Sequence, residues 1–327
     1  MRVLVTGGAG YIGSVVIERL LESGHSVVAL DSLERGHARA IPEEVEFIQC
    51  DLRDSAATLA AVNVANAEAI MHFAALHLVP ESVSNPGAYF QTNVAGGINL
   101  LCAARDCGIT RFVFSSTAAV YGEPESLPVR ETDPKNPINP YGHSKYMVEQ
   151  FFPDFEREHG LNWAAFRYFN VAGATELHGE DHNPETHVIP VALQVLMGKR
   201  EQFTIFGTDY PTDDGTCIRD YIHVVDLADA HIRALDVLGE QSLGAVNLGT
   251  RDGFSVKQIV DAVERVTGRQ LPTAIGERRA GDPPALIADT SKAEELLGWN
   301  PTRSTMDEMI GSAWKWMQAH PDGYSND

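Results

Sequence analysis

Arg2-Val-Leu-Val-Thr6 runs directly into Gly7-Gly-Ala-Gly-Tyr-Ile-Gly13, and the reading of this stretch decides the fold. The apolar start predicts a short strand buried on both faces. An amphipathic helix follows, with Ile12, Val15, Val16, Arg19 and Leu20 near helical spacing, and Val27-Val-Ala-Leu30 is a second apolar strand ending at Asp31. Strand, glycine turn, helix, strand and acid in that order are the context a dinucleotide-binding reading requires. The glycines permit a tight turn and let backbone N–H groups approach a pyrophosphate at the helix N-terminus. Asp31 can accept hydrogen bonds from adenosine ribose hydroxyls, and its charge repels a 2′-phosphate, so NAD is expected over NADP.

Outward from this turn, strands and helices alternate. Further strands are expected at 46–49, 69–73, 111–115 and 162–168, and helices at 55–62, 89–107 and 141–159. Such alternation implies an α/β fold with a doubly wound parallel sheet, a Rossmann domain. Past Asn170 the character changes. Residues 173–185 are rich in Gly, His, Asp and Glu and are expected to form an exposed loop. Short elements follow: helices at 189–197, 224–238, 291–297 and 305–318, and strands at 203–206 and 245–248. The expected division is an NAD-binding domain over 1–173, with 224–250 returning to it. Residues 174–223 and 251–327 then form a smaller mixed α/β domain for the substrate, with the ligand in the cleft outside the carboxyl ends of the strands.

The 327-residue chain is 44% hydrophobic and carries a formal net charge of -20. It can fill a sizeable core, and its charge argues against nucleic acid and anionic membranes as partners. No signal peptide or apolar run of spanning length is evident. Cys50, Cys102, Cys107 and Cys217 lack zinc-like spacing and read as reduced thiols of a cytoplasmic protein, and no metal site is expected.

Tyr141 and Lys145 stand four residues apart in Pro140-Tyr-Gly-His-Ser-Lys145, about one helical turn. A phenol of pKa ~10 is a poor base at neutral pH. A lysine ammonium one turn away is expected to favour the phenolate and fit it to remove a proton from an alcohol. Upstream, Phe112-Val-Phe-Ser-Ser-Thr117 ends a buried strand in three hydroxyl residues, any of which could share that proton.

With these motifs the chain resembles the extended short-chain dehydrogenase/reductase superfamily, and within it the family of UDP-glucose 4-epimerases, almost end to end. The resemblance is carried by Thr6–Gly13, His72-Phe-Ala-Ala75, Phe114–Thr117 with Val120-Tyr-Gly122, Pro140–Lys145 and Arg167-Tyr-Phe-Asn170. It continues through the more specific block from Phe206 to His223, which includes Ile218-Arg-Asp-Tyr-Ile-His223, and through Gly281-Asp282. It implies interconversion of UDP-glucose and UDP-galactose by oxidation at C4, rotation of the 4-keto intermediate and re-reduction. Tyr141, Lys145 and Thr117 are the implied catalytic residues. The implied cofactor residues are Gly7, Gly10, Tyr11, Ile12, Gly13, Asp31, Asp51, Leu52, Phe73, Ala74, Ala75, His77, Asn93, Ser115 and Tyr168, with Tyr141 and Lys145 shared. Thr117, Tyr141, Asn170, His187, Phe206, Arg219, Arg279 and Asp282 would contact the UDP-sugar, two arginines suiting a diphosphate. The family also implies a homodimer through a four-helix bundle built from 89–107 and 141–159.

Three positions depart from the family pattern. His77 stands in place of a lysine that reaches the pyrophosphate, and His187 replaces an asparagine. Leu286 falls between a tyrosine that narrows the pocket and a small residue that widens it, so reduced turnover of UDP-GlcNAc is expected. Alternative readings are a 4-epimerase of UDP-GlcNAc/GalNAc, UDP-xylose/arabinose or UDP-glucuronate, or an NAD-binding sensor. Ala118-Ala119, where dehydratases place a carboxylate after the strand, argues against elimination.

Overall fold

The computed structural model describes residues 1–278 and 283–324. Its main sheet contains β1 (Arg2–Thr6), β2 (Ser26–Asp31), β3 (Glu46–Gln49), β4 (Ala69–His72), β5 (Arg111–Thr117) and β6 (Asn162–Tyr168). The chain then makes β7 (Asn170–Ala172), β8 (Phe203–Phe206) and β9 (Ile218–His223) before β10 (Gly244–Leu248) returns to the main sheet beside β6. The order is β10-β6-β5-β4-β1-β2-β3, every pairing parallel. Strand order reverses between β1 and β4, where doubly wound sheets open a binding crevice.

The apolar run of β1 serves both faces. Val3 and Val5 join the core beneath helices Tyr11–Glu22 and Val224–Val237, while Leu4 joins the core beneath Ser55–Ala65 and Gly96–Asp106. All three residues are fully buried, as a sheet covered on both sides requires.

A second sheet is built on β9, flanked by β7, by β11 (Gly253–Ser255) and by β13 (Ala285–Leu286), and β8 pairs with β12 (Thr273–Gly276). A third core lies among helices Val188–Leu196, Val256–Thr267 and Met306–Ala319. Helix Val256–Thr267, not anticipated from the sequence, starts with a capping box between Ser255 and Gln258. The junction of the two sheets is held by fully buried Asp220. Its carboxylate accepts from Thr250 N and Oγ1 (both 2.8 Å), Ala288 N (3.0 Å) and Arg251 N (3.2 Å). Its carbonyl accepts from Asn170 Nδ2 at 2.9 Å.

Three sequence expectations need correction. The 89–107 helix is interrupted by a π-helical stretch, Phe90–Ala95, between Pro86–Tyr89 and Gly96–Asp106. The 141–159 helix is two helices, Pro140–Glu149 and Phe152–His159, because Pro153 has no N–H to offer the Glu149 carbonyl. Residues 173–185 contain no helix or strand, but they are not an exposed loop. His178 (4% exposed) bonds Glu18 Oε2 at 2.7 Å and the Ala40 carbonyl at 3.0 Å, which pins the segment to the first helix.

Asp220→Asn turns one acceptor into an amide NH₂ facing backbone N–H donors. We expect a loss of about 1–3 kcal/mol. It would be read as a lower urea midpoint with unchanged slope at pH 8, above the value of about 6 to which burial pushes this carboxyl despite its backbone hydrogen bonds. An unchanged midpoint would remove Asp220 as the junction.

Candidate active site

A cavity of about 1260 Å³ lies across the carboxyl ends of β1, β2, β4, β5 and β6. At one end is the glycine turn. Gly7 adopts φ +74°, and a Cβ there would lie 2.5 Å from Ala74 N; a Cβ on Gly13 would lie 2.1 Å from the Gly7 carbonyl oxygen. Only bare backbone therefore fits between helix Tyr11–Glu22 and the sheet. The helix begins at Gly10 without a side-chain cap, leaving its first N–H groups and positive dipole end beside the cavity. Asp31, 8% exposed, accepts from Ala9 N (3.1 Å) and Leu33 N (2.9 Å); burial raises its pKa and these backbone donors oppose the rise. Tyr11, Ile12, Asp51, Leu52, Phe73, Ala74, Ala75 and His77 continue the same wall.

At the centre of the cavity, Asn139 caps helix Pro140–Glu149 by accepting from Gly142 N at 2.8 Å. This turn presents Tyr141 to the cavity beside Ser115, Thr117 and Tyr168. Desolvation pushes the Tyr141 phenol up to about 12, against a hydrogen-bonding interaction with Thr117 that lowers it. Lys145, 2% exposed, does not reach the phenol. Its Nζ donates to the Ser115 carbonyl at 2.9 Å and lies 5.0 Å above the Phe114 ring, and burial lowers its pKa to about 7. The expected depression of the tyrosine pKa by lysine is thus absent from this arrangement, in which burial dominates both groups.

Asn170, His187, Phe206, Arg219 and Leu286 line the other end. Arg279 and Asp282 lie outside the described residues. Asn93 sits behind the wall. Its amide joins Leu76 N (2.8 Å) and Leu76 O (2.9 Å) to Ser144 Oγ (2.9 Å), and Ser144 Oγ in turn donates to the Tyr141 carbonyl at 2.8 Å. It therefore ties the helix that presents Tyr141 to the loop after β4.

Sequence reasoning missed Arg35, Arg200 and the group Glu180, His182 and Glu185, all of which line the cavity. Burial opposes charge on His182, yet Glu180 and Glu185 push it up to about 9; the same carboxylates raise His187 against its burial, and both imidazoles hold Glu185 low. Burial, then His182 and His187, keep His77 well below its ordinary value. The abundance of His and Glu in 173–187 was the available signal, obscured by reading the segment as solvent-exposed.

The site fits a dinucleotide. The turn has room only for backbone against a pyrophosphate, and Asp31 ends β2 where a ribose would lie. His77 Nε2, on a cavity-lining residue, is buried without a hydrogen-bond partner among the described residues. Residues 3–249 match the NAD dependent epimerase/dehydratase family. A UDP-glucose 4-epimerase of Lacticaseibacillus casei is 48% identical over 330 residues, spanning 100% of this chain and 99% of that protein. A solved UDP-glucose 4-epimerase superposes with TM-score 0.96 at 46% identity, covering 100% of both chains. Another, from Bifidobacterium longum in complex with NAD⁺ and UDP, gives 0.94 at 36% identity over 99% of this chain and 100% of that one.

Lys145 also sets a pH dependence. Its folded-state pKa of about 7 lies below the unfolded value of ~10.4, so between these the unfolded chain binds more protons and stability rises with pH. Nearby His72, which burial and Lys145 lower to about 3, stays neutral across that window. Cofactor-free protein should therefore gain about 1.4 kcal/mol per pH unit from this residue. Lys145→Met should be more stable than the parent at pH 7, with the gap closing towards pH 10; a gap independent of pH would contradict the assignment.

Proposed function

The chain belongs to the NAD-dependent epimerase/dehydratase family, and we infer that its site interconverts UDP-glucose and UDP-galactose with NAD as the cofactor. The sugar is oxidised at C4, the 4-keto intermediate rotates, and reduction from the other face completes the inversion. NAD, when bound, supplies the acceptor and donor for the C4 hydride. The observation that carries the reading is Tyr141 beside Thr117 in a cavity of about 1260 Å³ whose lining includes both the glycine turn and Arg219.

The seven-stranded part holds the dinucleotide, through the Gly7–Gly13 turn and Asp31, and the part built on β9 holds the UDP-sugar. Tyr141 takes the 4-hydroxyl proton at its phenolic oxygen, and Thr117 shares that proton, accepting and donating through one hydroxyl. Lys145 is the nearby source of positive charge for the phenolate; turning its ammonium from the Ser115 carbonyl would bring the two into register. On return, Tyr141 gives the proton back to the 4-oxygen. Arg219 offers a guanidinium fork to the diphosphate, joined by Arg279 and Asp282 from the sequence reading. The cavity exceeds the ~300–1,000 Å³ of single-ligand sites, in keeping with a dinucleotide and a UDP-sugar held together. Ala118 and Ala119 line it with methyl groups, so no carboxylate stands after β5 to expel a hydroxyl. Leu286 also lines the cavity, supporting a preference for sugars without an N-acetyl group.

The same reading makes the chain a cytoplasmic homodimer. The four cysteines are thiols, and Met147, 44% exposed, leaves apolar surface on helix Pro140–Glu149. Among the described residues no helix is long and apolar enough to cross a membrane. Sedimentation should give twice the chain mass of 35.6 kDa, with Met147→Glu shifted towards monomer; a monomeric parent would refute the pairing.

Conversion of UDP-galactose to UDP-glucose should proceed without net NADH formation. Tyr141→Phe should bind NAD and UDP-glucose yet lose ~10²–10⁴-fold in turnover, the range of general acid–base catalysis. Near-parental turnover would end the assignment. UDP-GlcNAc in the same assay should turn over more slowly than UDP-glucose.

A further inference from the structure

Between β7 and helix Val188–Leu196, Glu180, His182, Glu185 and His187 bring one ligand-type atom each to within 4.8 Å of the others. His187 Nδ1 lies 2.6 Å from Glu180 Oε1 and 2.9 Å from Glu185 Oε1. His182 Nδ1 lies 3.1 Å from Glu180 Oε1 and 3.6 Å from Glu185 Oε2. Imidazole nitrogens and carboxylate oxygens bound to zinc at ~2.0–2.2 Å stand ~3.3–3.6 Å apart at the corners of a tetrahedron. Three of the observed separations are shorter than that edge and one meets it, so side-chain rotations that draw the atoms apart by up to about 1 Å convert the cluster into a ligand set.

Self-contained hydrogen bonding would give the same atoms a simpler purpose, but it leaves the cluster unsatisfied. Glu185 Oε2 belongs to a side chain 2% exposed and, among the described residues, makes no hydrogen bond, its nearest imidazole nitrogen being His182 Nδ1 at 3.6 Å. His77 Nε2 is likewise buried and unpartnered, with its ring 4.7 Å from that of His182 and 5.8 Å from that of His187. A buried carboxylate oxygen held only by a long ion pair, with no hydrogen bond of its own, is costly, and a cation against it lowers the cost. The rest of Glu185 is already oriented. Its Oε1 accepts from Thr186 N (2.7 Å) and His187 N (2.8 Å), and its carbonyl accepts from Arg200 at 2.8 Å. Metal ligands are usually held by outer contacts of this kind.

We propose that Glu180, His182, Glu185 and His187 bind one divalent transition-metal ion, Zn²⁺ in preference, on the wall of the cavity beside His77. Two neutral imidazoles and two carboxylates balance the dication. The N₂O₂ set is too nitrogen-rich for Mg²⁺ or Ca²⁺ and too hard for Cu(I). The ion closes residues 180–187 on themselves and places a fixed positive charge where a nucleotide diphosphate passes. The site stands on its own geometry and does not depend on the epimerase reading.

The test uses full-length, tag-free protein purified without chelator. Elemental analysis should find about one zinc per chain. After chelator treatment, Zn²⁺ competed against a chromophoric chelator should titrate to one site, and Co²⁺ should give the visible bands of tetrahedral coordination. Glu185→Gln and His182→Gln should each weaken binding by at least ~10–100-fold, the loss that even outer-shell changes produce. Folded parent protein that takes up neither Zn²⁺ nor Co²⁺ at millimolar concentration overturns the proposal, and so does uptake unchanged in both variants. Because the parent titration is decisive alone, a variant that fails to fold does not shelter the idea.

Discussion

Everything in this molecule is arranged around the close approach of the first helix to the first strand. With the Gly13 Cβ position 2.1 Å from the Gly7 carbonyl oxygen, no side chain fits at that contact, and the helix start is pressed against the carboxyl end of β1. The contact fixes where uncapped N–H groups point, and so where anionic phosphates can lie. Asp31 reinforces it by accepting from Ala9 N at 3.1 Å, tying the end of β2 to the same turn. The end of β5 and the turn carrying Tyr141 border the cavity that begins there.

Which parts were legible in the sequence follows from the kind of constraint involved. The inner strands of the main sheet are read easily because burial on both faces demands apolar runs, as in Val3, Leu4 and Val5 of β1. The second sheet is harder. β13 has two residues, β7 and β11 have three each, and their pairing depends on β9 far away in the chain, so local patterning carries little of it. Pro153 was visible and its missing N–H predictable, yet apolar periodicity continues across the break. Asn93 illustrates a subtler limit. Its position suggested a contact with the cofactor, whereas its amide is wholly occupied by Leu76 and Ser144. The Tyr141–Lys145 spacing gave their shared face correctly, but spacing does not say which acceptor a lysine ammonium will choose.

Charge is distributed by the same logic. The chain carries -20 overall, yet Arg35, Lys145, Arg200 and Arg219 line a cavity meant for anionic nucleotides. In salt near ~8 Å of screening length, distant surface carboxylates are muted while groups a few ångströms away decide the local potential. An acidic exterior and a cavity wall that carries basic side chains are therefore compatible in one molecule. Where Glu180 and Glu185 enter the wall, each is paired with imidazoles.

The return of β10 to the main sheet bears on how the chain is made. As the protein leaves the ribosome from its N-terminus, β6 emerges with one edge open, and its partner comes only after β7, β8 and β9 have been synthesised. Until then the parallel edge of β6 and the apolar face awaiting helix Val224–Val237 are uncovered. Parallel pairing across so long an interval is slow to close and exposed to wrong partners. The nascent chain is therefore most vulnerable to aggregation while Tyr141 and the glycine turn already exist, and it becomes safe only when Leu248 has cleared the exit tunnel.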